Sequence, residues 1–225
     1  MCHSDGFDLA YRIEGEGAPI LVIGSAVYYP RLFSSDIKQK YQWVFVDHRG
    51  FAKPKRELRA EDSRLDAVLA DIERMRTFLQ LKDVTILGHS GHAFMALEYA
   101  RTYPKQVRKV ALFNTAPDNS EERQRKSESF FMGTASLERK KRFEKDIANL
   151  PQDIEKDPER RFVHMCIRAE AKSFYQERPH AAALWDAVDG LYPHVDKVIF
   201  ERSGHQPMLE EPEAFDQSFS KWLDQ

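Results

Sequence analysis

The sequence predicts an α/β fold: a mostly parallel sheet with helices on both faces and a small helical cap. Three observations lead there. Short, fully apolar runs stop abruptly at turn residues, stretches with helical periodicity separate those runs, and one long charged segment contains none of them.

The apolar runs come first. Residues 20–23, 43–46, 110–113 and 198–200 are continuously apolar, 84–87 is apolar except for Thr85, and several of these runs end at a polar or small residue: Gly24, Asp47, Gly88 and Asn114. Runs without alternation suit strands buried on both faces of a parallel sheet. Residues 7–13 alternate instead. With the turn Glu14-Gly15-Glu16-Gly17 they suggest an opening hairpin onto 20–23.

Helices fill the intervals. Leu65, Val68, Leu69, Ile72, Met75 and Leu79 keep one apolar stripe, with Ser63 and Asp66 placed for a cap and first turn. Residues 92–103 form the next helix, closed by Pro104. Alternating strands and helices imply right-handed crossovers, with ligands beyond the C-terminal strand ends. Gly24, Asp47, Ser90 and Asn114 should gather there.

Residues 118–180 are rich in Glu, Lys and Arg and carry no strand pattern. They read as two or three helices forming a cap, inserted into a core made of 1–117 and 181–225. The basic run 139–145 is balanced by Glu138, Glu144 and Asp146, the pattern of a solvated helix face.

Composition narrows the function. The chain has 225 residues, 42% of them hydrophobic, which excludes a disordered chain. A formal net charge of -2 gives no reason to expect nucleic acid or an anionic membrane as partner. The first residues lack a signal-peptide pattern, and the apolar stretch 20–27 is too short to span a bilayer. Cys2 and Cys166 are the only cysteines, which points to a reducing cytoplasm.

One motif carries chemistry. Gly88-His89-Ser90-Gly91-His92 follows a buried strand and opens a helix. It reads either as an ordinary turn with a capping serine or as a nucleophile elbow. An elbow lifts the Ser90 hydroxyl clear of the backbone, and the Gly91 N–H then faces a developing oxyanion. Small neighbours, Gly88 and Gly91, suit so tight a turn. Downstream, Ser203-Gly204-His205 precedes Pro207, and a histidine after the serine in chain order fits a general base. A metal site from His89, His92 and His205 is disfavoured, because the first two straddle the turn and should diverge. No cofactor is expected.

With these motifs in hand, the sequence resembles the α/β-hydrolases, and within them the proline iminopeptidase-like enzymes. The resemblance lies in EGEGAPILVIG, the DHRG run at 47–50, GHSGHAFMALEYA from Gly88, LFNTAP from Leu112, and SGHQPMLEEPEAF from Ser203. It implies a serine hydrolase acting on a small ester or amide, with Ser90 as nucleophile and His205 as base. It also implies that the loop Gly24-Ser25-Ala26 supplies a second oxyanion donor, the Ala26 N–H, and that Asp47 and Arg49 tie neighbouring loops together.

The chain departs from that family in three ways. His92 stands where the elbow usually carries glycine, so its side chain packs away from the facing strand or lines the pocket. Ser25 and His89 are further pocket candidates. The oxyanion loop lacks its usual histidine. Finally, the strand bearing the catalytic acid is not recognisable between the cap and the histidine loop. Glu177 is the first choice of acid, because its separation from His205 and the following Trp185 echo the family; Asp186 and Asp189 are rivals. The alternative to an enzyme is a non-catalytic relative that binds a small molecule or a partner.

Overall fold

The computed structural model describes residues 1–52, 54–115, 120–173, 198, 200 and 202–225. The chain divides into two compact units, Met1–Pro117 and Asp118–Gln225. Among the described residues no helix is long and apolar enough to cross a membrane.

The first unit opens on a small hairpin, β1 (Cys2–Ser4) and β2 (Phe7–Leu9), paired antiparallel. Asp5 and Gly6 turn it, both with positive φ, as an Asp-Gly hairpin turn requires. Five strands then form the main sheet: β3 (Tyr11–Glu14), β4 (Pro19–Gly24), β5 (Gln42–Asp47), β6 (Val84–His89) and β7 (Val107–Phe113). Their order is β3-β5-β4-β6-β7. Strands β4 to β7 run parallel, and β3 is an antiparallel edge.

The expected opening hairpin onto residues 20–23 is therefore incorrect. Strand β5 lies between β3 and β4, pairing Tyr11 with Val46 on one side and Ile23 with Val46 on the other. Nor do residues 7–13 form one strand: they divide between β2 and β3 in separate sheets, since alternation carries no information about a strand's partner. The apolar run of β5 needs cover on both edges as well as both faces, and β3 supplies one edge.

Side chains alternate across the sheet, so β5 serves two layers. Val44 and Val46 join Leu21, Ile23 and Ile86 in a core with Ile72 and Met75 of α2 (Leu65–Phe78) and Ala96 and Tyr99 of α3 (Gly91–Thr102). Trp43 and Phe45 project the other way. They stack on each other and on Phe33, and Trp43 Nε1 donates to the carbonyl of Ile37 in α1 (Ser35–Lys40). Each such buried side chain contributes roughly 1.5–3 kcal/mol over an exposed one. Ser63 does not cap α2. It ends a 3-10 turn, and its hydroxyl donates to the Ala60 carbonyl.

A buried charge cluster joins the hairpin to the loop after β5. Arg49 donates to Asp71 from Nε at 2.8 Å and Nη2 at 2.9 Å, and to Asp62 from Nη1 at 2.8 Å. Ser4 Oγ adds a bond to Asp71 at 2.7 Å, and the Arg49 and Arg56 guanidinium groups lie over the Phe7 ring. Asp71 is fully buried, so its charge is tolerated only because these donors surround it. Arg49 has the tying role that the family resemblance implied.

The second unit is helical where described: α4 (Glu121–Thr134), α5 (Leu137–Lys156), α6 (Arg161–Arg168) and α7 (Glu170–Ser173), then the short helix Pro207–Glu210 and the C-terminal helix Pro212–Leu223. Ser120 and Ser136 cap α4 and α5 by accepting the N–H of Arg123 and Arg139. The expected last strand at 198–200 lies on residues described only at 198 and 200.

The turn between β6 and α3 depends on one glycine rather than two. A Cβ at Gly88 would stand 2.2 Å from the His92 carbonyl oxygen and 2.6 Å from Ala93 Cα, both backbone atoms that cannot yield. A Cβ at Gly91 would meet nothing within 4 Å. The expectation that both glycines are sterically required is corrected accordingly. Gly88→Ala should cost about 3 kcal/mol, the upper range for overpacking. Gly91→Ala should stay within about 1 kcal/mol of wild type, since alanine favours the helix. Urea unfolding of the two variants checks the contrast, and equal losses would contradict it.

Candidate active site

Strand β6 ends at His89 and α3 begins at Gly91, so Ser90 must reverse the chain alone. Its backbone sits at φ 56°, ψ -127°, a conformation that L side chains rarely adopt. Such strain costs on the order of 1–3 kcal/mol and persists only where the surroundings enforce it. Here the Ser90 N–H donates to the Phe113 carbonyl of β7 at 2.8 Å, and the Ser90 carbonyl accepts from Ala93 at 3.1 Å. Gly91 is the first residue of α3, so its N–H has no acceptor within the helix. The positive end of α3 thus lies beside a partly exposed hydroxyl.

The loop after β4 is wound tightly. Ser25 Oγ accepts the N–H groups of Val27 and Tyr28 at 3.2 and 3.1 Å, and the Ser25 carbonyl accepts from Tyr29. Ser25 therefore shapes the loop, and its hydroxyl oxygen is occupied by the backbone. The Ala26 N–H donates to Asp47 Oδ1 at 2.7 Å. An amide has one hydrogen, so this arrangement does not aim it at an oxyanion, contrary to the expected role of Ala26. Burial pushes the Asp47 carboxyl up, and the amides of Ala26 and Ala10 oppose that shift.

Tyr29 connects this loop to the elbow. Its ring is 3% exposed, and its hydroxyl lies 2.8 Å from His92 Nδ1 and 3.4 Å from the His89 carbonyl. Gly24 makes room for the contact: at φ 142° it has no side chain, and a Cβ there would stand 2.2 Å from Tyr29 Cε2. The His92 ring also packs against His48 and Phe51, with centroids 5.4 and 5.8 Å apart. His92 is thus a packed residue held by a phenol, and the His89 side chain is buried beside Tyr29. His48 accepts the Gly50 N–H at Nδ1, which places its proton on Nε2. Burial lowers the His48 pKa to about 4 and lowers that of His92 as well, so both rings are neutral near pH 7. Among the described residues no group of three or more His, Cys, Asp or Glu is placed to hold a metal ion.

His205 belongs to the second unit, in the loop before the helix Pro207–Glu210. Two glutamates organise that loop. Glu210 Oε1 accepts the N–H groups of Gly204 and Gln206 at 3.1 and 3.3 Å. Glu211 Oε1 accepts the Arg202 N–H and the Ser203 hydroxyl, each at 2.9 Å. Burial lowers the His205 pKa. Glu177, Asp186 and Asp189 lie outside the described residues.

Sequence reasoning missed Tyr29, His48, Phe51, Glu210 and Glu211. For the two glutamates a signal was present: carboxylates one turn past His205 and directly before Pro212 are within reach of that loop's amides. For Tyr29 there was none, because the contact with His92 joins distant parts of the chain.

The architecture and these motifs agree with comparisons to known proteins. A family model described as the alpha/beta hydrolase fold matches residues 22–206. The AB hydrolase superfamily protein YclE of Bacillus subtilis is 79% identical over 276 residues, covering 100% of this chain and 98% of the relative. That alignment is longer than this chain's 225 residues, so part of YclE has no counterpart here. A proline iminopeptidase of Neisseria meningitidis is 28% identical over 108 residues, 48% of this chain and 32% of its own length. Among solved structures, a thermophilic esterase from Thermogutta terrifontis superposes with a TM-score of 0.59 at 20% identity, covering 97% of this chain and 93% of its own. Fold, motifs and family match converge: the chain belongs to the alpha/beta hydrolase fold family.

Proposed function

We propose that this hydrolase is a serine hydrolase that cleaves a small ester or amide through an acyl-enzyme at Ser90. The observation that carries the reading is the backbone of Ser90 itself. A serine held at φ 56° between a buried strand and a helix N-terminus is the strained arrangement that a nucleophile elbow calls for. In this reading Ser90 Oγ attacks the carbonyl carbon while His205 takes the hydroxyl proton. The carbonyl oxygen becomes an oxyanion facing the Gly91 N–H. His205 then gives its proton to the leaving group, and water repeats the sequence to release the acid. Ala26 joins as a second donor only when its N–H leaves Asp47. His92 and His89 shape the site from below, and residues 118–180 act as the cap. No cofactor takes part in these steps, and the partner is a small-molecule substrate in a cytoplasmic setting.

Glu177 remains the proposed acid. The second reading, a non-catalytic relative, has one observation in its favour: the alignment with YclE runs to 276 positions against 225 residues here. In that reading, the strand that carries the acid in the family is among the positions without a counterpart.

A fluorophosphonate probe should label Ser90, and Ser90→Ala should abolish both labelling and ester hydrolysis. Ser90→Gly should also be inactive yet more stable by about 1 kcal/mol, because glycine relieves the positive φ. Labelling that survives in Ser90→Ala at the wild-type level defeats the assignment.

The pH profile follows from His205. The base must be neutral, and burial holds its pKa below the ordinary value of 6.5. The kcat/KM of a chromogenic ester should therefore rise with pH as His205 loses its proton; burial lowers the midpoint of that rise, and the Glu177 carboxylate opposes the shift, so Glu177→Gln should move the midpoint down. A profile with no ascending limb that His205→Ala removes would contradict the assignment.

For the acid, Glu177→Gln should reduce kcat/KM by about 10⁴-fold, the effect of removing a triad acid's charge. A rate within a few-fold of wild type would mean a Ser–His dyad or a different acid.

A further inference from the structure

The histidine loop contains a device that the proposed triad does not use. Glu210 Oε1 accepts two backbone amides, those of Gly204 and Gln206, which flank His205 on either side. A single oxygen bonded at positions before and after one residue restrains that residue's φ and ψ together. The direction of its Cα–Cβ bond is then fixed, and with it the small set of positions that the ring reaches by side-chain rotation. The adjacent Glu211 anchors the approach to this turn through the Arg202 N–H and the Ser203 hydroxyl. Glu210 is the last residue of the helix Pro207–Glu210, so its carboxylate reaches back over the preceding turn from a rigid element. Gln206 and Ser203 are 5% and 7% exposed, which keeps water from competing for the neighbouring amides.

We infer that Glu210 is the positioning residue of this active site: it holds His205 in register by clamping the amides on both sides of it. The inference rests on the reading of His205 as the base. Charge-assisted bonds to backbone N–H groups are roughly twice as strong as neutral ones, so one carboxylate oxygen can hold both amides. The clamp acts through the backbone and not by contact with substrate. It supplies geometric order to the base in a chain whose family acid is not recognisable in the sequence.

The test compares Glu210→Ala with Glu210→Gln in the full chain. Glutamine keeps a carbonyl oxygen that can accept both amides, whereas alanine removes the acceptor. Amide hydrogen exchange followed by NMR should accelerate at least about tenfold at Gly204 and Gln206 in Glu210→Ala, and only slightly in Glu210→Gln. On a chromogenic ester, Glu210→Ala should lower kcat by about 10²-fold with KM nearly unchanged, as for a misplacement of about 1 Å. Glu210→Gln should recover most of that loss. Unchanged exchange at the two amides overturns the clamp. Accelerated exchange with unchanged kcat overturns the positioning role. If glutamine is as damaging as alanine in both measurements, two-amide acceptance is overturned as the cause. Should Glu210→Ala fail to fold, exchange and kcat in Glu210→Gln and Glu210→Asp decide, since the shorter aspartate must lose the clamp while keeping the charge. Absence of labelling and turnover in the wild type would instead defeat the hydrolase reading, and the exchange data would still decide the clamp.

Discussion

The backbone of Ser90 is the constraint on which the rest of the site depends. One residue must take the chain from the end of a central strand into a helix, and it does so in a conformation that costs free energy. Its neighbours enforce it. Strand β7 offers the Phe113 carbonyl to the Ser90 N–H, and Gly88 lets the first turn of α3 fold back onto β6. The first of these requires β7 to lie beside β6. The sheet order is thus part of the site, because only the strand beside β6 can offer a carbonyl to the Ser90 N–H.

A second layer of support comes from charge. The loop after β5 is fixed at Asp47 by Ala26 and at Arg49 by Asp71 and Asp62. Burying these groups is costly, and their mutual hydrogen bonds offset most of that cost. Removing one partner would strand the other in a low-dielectric interior. The cluster therefore specifies how the loops lie more than it adds to net stability. The histidine loop follows the same logic with fewer charges, two carboxylates on backbone amides.

Much of this was legible in the sequence. The central strands announced themselves because burial on both faces leaves almost no polar residue in the run, as in 20–23 and 43–46. The elbow was legible because strand, tight turn and helix must follow one another in the chain. Other features were not. The partner of β3 could not be read, since alternation reports a strand's faces and not its neighbours. The bond that engages the Ala26 N–H could not be read either, because its acceptor, Asp47, is far away in sequence. The glutamates before Pro212 read as a helix start, although their place shortly after His205 already put them within reach of the amides they accept in the folded loop.

The bond between Tyr29 and His92 has a consequence for how this chain can change over time. His92 replaces the glycine usual at that point of the elbow, and the buried phenol of Tyr29 has come to depend on it. A return to glycine would leave the hydroxyl short of a partner and open a void beside Gly24, whose own lack of a side chain now accommodates the tyrosine ring. Replacing Tyr29 alone would leave an imidazole nitrogen without its phenol. The two positions are coupled: the cost of a substitution at either depends on the residue at the other, whether or not either contacts substrate.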